Sequence, residues 1–224
     1  MLFNLRGLVS KLVWHEFGHL CMSLLLIEQN SNYKISKIGF TYFSTSRSWT
    51  CFVTCKNPDI TDDTILTNGN YHQEFCLAIL NNVAGAVFEC VYWRLFEGNY
   101  IKPIELLARG SAMNDCYSLR QSLKIYNKEH EDGLRDTLVA GPIPAYFDLL
   151  LDNGNFTNAL AGIATRYIDK ITETFDDKVD FALNLNDEEI QSLSTEIMML
   201  LDATGLKAKI LDIKDSVSQI ILDN

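Results

Sequence analysis

The feature that most constrains this chain is His15-Glu16-Phe17-Gly18-His19, two histidines and a glutamate inside one of its most apolar stretches, Leu8 to Glu28. A helix drawn over that stretch is apolar on most sides, so it belongs inside the molecule with the rest of the chain around it. Ionisable side chains are costly to bury without a partner, and a metal ion supplies one. Residues i and i+4 of a helix share a face, with Cβ atoms about 5–6 Å apart, so both imidazoles reach one ion, here read as Zn2+. Glu16 projects toward the same side, placed as general base for a water whose pKa the metal lowers toward ~7. A pair of hydrogen-bonded core histidines is the competing structural reading. Gly18 costs roughly 1 kcal/mol of helix propensity relative to alanine, which suggests a close approach there by another backbone or by substrate.

A catalytic zinc needs a third protein ligand and an open position. The extended H-E-x-x-H-x-x-G-x-x-H pattern requires glycine at 22 and histidine at 25; the chain has Met22 and Leu25, which excludes that class. Glu74 or Glu89 would complete a two-histidine, one-glutamate site. Asp115, just after the Gly110-Ser111-Ala112-Met113-Asn114 turn, would complete a two-histidine, one-aspartate site. His72 and His130 qualify by residue type, but both lie in polar stretches and read as solvent-facing.

Around the motif the pattern is mainly helical. Asn4 is placed to cap the first helix. Residues 33–56 carry Tyr, Ile, Phe, Thr, Trp, Cys and Val in short runs around Ser44-Thr45-Ser46-Arg47-Ser48, as expected for a β-hairpin and the one convincing strand region. A polar connection follows over 57–69, and Asn70 with Gln73 resembles a capping box for a helix running toward Gly98. Pro103 and Gly110 bracket a short helix over 104–109. A further helix extends from about Asp115 to Lys128, Gly141-Pro142-Ile143-Pro144 interrupts a helical stretch, and residues 156–175 are helical again. Asn186 with Glu189 opens a helix that Gly205 ends, and 206–222 is amphipathic.

Composition sets the outer limits. With 224 residues, 47% of them hydrophobic and 21% charged, the chain can bury a core without disulfide staples. A net charge of −10 argues against nucleic acid or an anionic membrane as the main partner. The acid is uneven: residues 169–224 hold 5 basic and 13 acidic residues, net −8, and read as solvated helix faces. The first 14 residues lack a secretory h-region, and Asn81, Asn82, Glu89 and Arg94 interrupt the apolar run from Ile79 to Phe96, so no membrane span is expected. The six cysteines then read as reduced thiols in a cytoplasmic protein.

Three ordered blocks, His15-Glu16-Phe17-Gly18-His19, Ala84-Gly85-Ala86-Val87-Phe88-Glu89 and Gly110-Ser111-Ala112-Met113-Asn114-Asp115, resemble the peptidase domain of FtsH-type ATP-dependent zinc metalloproteases. The family blocks are H-E-A-G-H-A, a Gly-Gly-Arg-x-Ala-Glu helix and T-G-A-x-N-D. The resemblance covers roughly residues 8–128. It implies Asp115 as the third zinc ligand beside His15 and His19, Glu16 as the catalytic residue, and supporting roles for Gly18, Gly85, Glu89 and Asn114. This chain differs in Ala84-Gly85-Ala86, in one extra residue between Gly110 and Asn114, and in Leu20. It also holds no G-x-x-x-x-G-K-[ST] sequence for the family's ATPase. The expectation is therefore a mainly α (α+β) protein, a helical zincin-like peptidase domain over 1–150 with one small antiparallel β element, and a helical extension over 151–224 packed on it. The expected function is zinc-dependent hydrolysis of peptide bonds in unfolded or short substrates. The alternative is a non-catalytic descendant of that fold acting as a binding or regulatory module. A homo-oligomer and a separate unfoldase or regulatory partner fit either reading.

Overall fold

The computed structural model describes residues 4–56, 72–126 and 131–223. Helix α1 (Leu5–Gln29) starts where the Asn4 side chain accepts a hydrogen bond from the Gly7 amide. It is buried on nearly every side from Val9 to Leu26, as its apolar sequence requires. A hairpin follows, β1 (Lys34–Phe43) and β2 (Ser48–Lys56), antiparallel with a bulge between Ile35 and Lys37. Helix α2 (His72–Phe96) is the second buried helix and packs along α1. Among the described residues it is the one helix long and apolar enough to cross a membrane, yet 83% of its most apolar window is covered by the rest of this chain. Packing therefore accounts for its apolarity.

The short helix α3 (Pro103–Arg109) leads through a turn into α4 (Met113–Tyr126). Gly141 separates α5 (Glu131–Ala140) from α6 (Pro142–Asp152), where Pro142 takes the first helical position that tolerates its missing N–H. Helix α7 (Gly154–Thr174) is followed by β3 (Phe181–Asn184), α8 (Asp187–Ala203) and α9 (Leu206–Leu222). The Asn186–Glu189 capping box is present with both of its reciprocal hydrogen bonds. The expected cap at Asn70 and the connection over 57–69 lie outside the described residues.

The protein is thus mainly α with one small antiparallel sheet, of strand order β2-β1-β3. The third strand corrects the expectation of a single strand region. Phe181-Ala182-Leu183-Asn184 is too short to show a period of two, and it is recruited by pairing with Gly39–Tyr42 of β1. Its place leaves β2 as the opposite edge of the sheet among the described residues. One contiguous hydrophobic core runs from Val9 to Ile221. Asp176, Asp177, Asp180, Asp187 and Glu188 in the acidic C-terminal stretch are exposed, consistent with solvated faces.

Candidate metal centre

The site lies where α1 crosses α2. The crossing is close because Gly18 faces backbone: a Cβ there would stand 2.4 Å from the Ala84 carbonyl oxygen. One residue further along α2, a Cβ on Gly85 would stand 2.5 Å from His15 Nε2 and 2.6 Å from His19 Nε2. The two glycines therefore let α2 press its backbone against α1 while leaving room for both imidazoles. Asp115, in the first turn of α4, reaches the same point from the far side.

The three ligand atoms form a small triangle. His15 Nε2 and His19 Nε2 are 3.2 Å apart, and Asp115 Oδ2 stands 3.1 Å from the first and 3.4 Å from the second. Ligands bound at about 2.0–2.1 Å around a tetrahedral ion are separated by roughly 3.3 Å. His15, His19 and Asp115 could hold a metal ion, and they are the group of this kind found among the described residues. Their hydrogen bonding points the same way. His19 Nδ1 lies 3.0 Å from the Asn81 carbonyl oxygen, which can only accept, so Nδ1–H donates and Nε2 is the nitrogen left with a free lone pair. Asp115 Oδ2 is buried without a hydrogen-bond donor of its own, an arrangement a cation satisfies.

Charge is crowded here. Burial disfavours protonation of His15, yet the Asp115 and Glu89 carboxylates outweigh it and carry its pKa up to about 10. Burial likewise works against ionised Asp115, but the adjacent His15 and His19 imidazoles prevail and hold its carboxyl at about 2. Glu16, only 5% exposed, is pushed above the usual carboxylate range by burial, partly offset by His19 and His15.

Glu16, the two histidines and Asp115 line a cleft of about 400 Å³ with Leu12, Asn81, Asn82, Ser111, Asn114 and Trp49–Val53 of β2. Strand alternation shows which part of β2 faces it. The Ile38 carbonyl accepts from Leu185 N–H on the β3 side, so Gly39 and Thr41 bond toward β2, where they oppose Phe52 and Thr50. The backbone groups of Trp49, Cys51 and Val53 are thereby directed away from β1, and the Val53 amide lies against Glu16.

Each residue singled out in the sequence now has a position. Asn114 lies at the cleft rim, and Gly18 and Gly85 form the helix crossing. Glu89 is not in the ligand triangle: its Oε2 stands 3.4 Å from His15 Nδ1, on the side of the ring away from the triangle. Glu74 accepts a hydrogen bond from Asn30 and lies apart from the cluster. His72 is not solvent-facing but half-buried, with Nε2 2.7 Å from Ser218 Oγ, because α9 packs over the start of α2. His130 lies outside the described residues. The roles of the Asn81 carbonyl and Ser111 carry no sequence signal: a backbone acceptor leaves no trace in residue type, and a serine in a turn is common. No family model matches this chain, and neither does any curated protein or solved structure.

Proposed function

We propose that this protein is a zinc-dependent metallopeptidase-like domain acting on unfolded or short peptide substrates, with His15, His19 and Asp115 as metal ligands and Glu16 as general base. One observation carries the reading: ligand atoms from positions 15, 19 and 115 close to tetrahedral spacing beside a buried glutamate, in a cleft bordered by the edge strand β2. Bound Zn2+ supplies a Lewis acid that polarises the peptide carbonyl and acidifies a water molecule. Glu16 takes the proton from the attacking water and returns it to the leaving amine. The outward backbone groups of Trp49 and Cys51, with the Val53 carbonyl, offer an extended peptide a strand to pair with. A cleft of about 400 Å³ accommodates a peptide segment rather than a folded domain, so folded substrates would require a separate unfoldase.

The test is zinc per purified chain together with cleavage of an unfolded protein or peptide library by wild type and Glu16→Gln. The expected result is one zinc per chain in both, with turnover lowered about 10²–10⁴-fold in the variant. Stoichiometric zinc without Glu16-dependent cleavage would favour the non-catalytic binding or regulatory module.

A further inference from the structure

The Glu89 carboxylate accepts two hydrogen bonds and faces an imidazole nitrogen of His15. Its Oε2 faces His15 Nδ1 on α1 at 3.4 Å and accepts the Ser111 hydroxyl, from the turn between α3 and α4, at 2.5 Å. Its Oε1 accepts Trp93 Nε1–H from the next turn of α2 at 3.4 Å, and Lys11 Nζ lies over the Trp93 ring, 3.5 Å from its centroid. Glu89 is 5% exposed, so its orientation is set by these partners rather than by water. Ser111 lies four residues before Asp115 and has nothing to do with the ligand triangle directly. Its hydroxyl nevertheless fastens the turn that delivers Asp115 to the same oxygen that faces His15.

We propose that Ser111 is a positioning residue for the metal centre: through its hydrogen bond to Glu89 it holds Asp115 within coordinating range of His15 and His19 and fixes the carboxylate behind His15. This rests on the reading of His15, His19 and Asp115 as metal ligands. The physical basis is that outer partners set ring orientation and ligand placement, and their loss typically weakens metal binding by 10–100-fold. Ser111 is itself exposed at the rim of the cleft, so removing its hydroxyl opens no cavity in the core. Its effect should reach the metal while leaving the chain folded.

The experiment measures Zn2+ affinity by chelator competition, and the visible absorption of the Co2+-substituted protein, for wild type, Ser111→Ala, Ser111→Thr and Glu89→Gln. Ser111→Ala should bind Zn2+ 10–100-fold more weakly and show an altered Co2+ band, while the metal-free protein still unfolds in one cooperative transition. Ser111→Thr, which keeps the hydroxyl, should restore both readouts. The Ser111→Ala effect should shrink in an Asp115→Ala background, because Ser111 acts through Asp115. Wild-type affinity and Co2+ spectrum in Ser111→Ala, or an undiminished effect without Asp115, would overturn the proposal. Should Ser111→Ala fold poorly, Glu89→Gln, which removes the shared carboxylate charge, must show the same loss of affinity and altered band. Failure of wild type to bind either metal would instead overturn the metal-site reading on which the proposal rests.

Discussion

Replacing Gly85 with alanine would set a methyl carbon 2.5 Å from His15 Nε2 and 2.6 Å from His19 Nε2, where ordinary contact begins at 3.4 Å. The His15 ring must retreat by about 0.9 Å and the His19 ring by about 0.8 Å, at least four times the ~0.2 Å tolerance of a metal–ligand bond. Neither ring has an easy retreat, since His19 Nδ1 is tied to the Asn81 carbonyl on α2 and His15 is backed by Glu89. Zinc affinity should fall by about 100-fold or more, beyond the usual effect of losing an outer partner. The fold should suffer far less. Overpacking costs about 1–3 kcal/mol, and removing a helix-interior glycine returns about 1 kcal/mol. The net cost of at most about 2 kcal/mol lowers the metal-free melting temperature by no more than about 4–8 °C. Gly18→Ala provides the contrast, because its Cβ meets the Ala84 backbone oxygen at 2.4 Å. Backbone cannot swing aside, so this variant should lose stability even without metal. Melting curves with and without Zn2+, plus chelator competition, separate the two. Wild-type zinc affinity in Gly85→Ala would refute the placement of both imidazoles against Gly85.

The metal-free protein should have a stability optimum on the acid side of neutrality. The raised pKa of His15 contributes stability that is full below 6.5 and is lost as pH rises toward about 10. The lowered pKa of Asp115 contributes stability that is present above 3.8 and is lost as pH falls toward about 2. Melting temperature without metal should therefore peak between pH 3.8 and 6.5, and Asp115→Asn should flatten that peak; a peak unchanged by the substitution counts against the pairing. Cys51→Pro removes an outward N–H of β2 while sparing the backbone hydrogen bonds to β1, so it should abolish peptide cleavage at unchanged zinc content. Unchanged turnover in that variant would discard strand addition as the mode of substrate binding.

Much of the local structure was legible in residue order. Asn4, the Ser44–Ser48 turn, Pro103 with Gly110, and the Asn186–Glu189 box act within a few residues of themselves, and each appears where its chemistry places it. The all-round apolarity of α1 and α2 announced burial in the same way. Strand β3 was not legible, since four residues carry too little pattern and its partner lies about 140 residues earlier. The half-burial of His72 was also hidden, because it depends on α9 folding back over α2.

For the site, the sequence by itself determined the pair of imidazoles and the glutamate, because i and i+4 share a helix face whatever the rest of the chain does. It did not choose among Glu74, Glu89 and Asp115 by spacing. Tertiary structure made that choice: the α1–α2 crossing, allowed by Gly18 and Gly85, leaves Glu89 behind the His15 ring and opens the front to the first turn of α4, where Asp115 arrives. Helical periodicity is a property of neighbours along the chain. The third corner of the triangle depends on the distance between two backbones, and only their packing decides it.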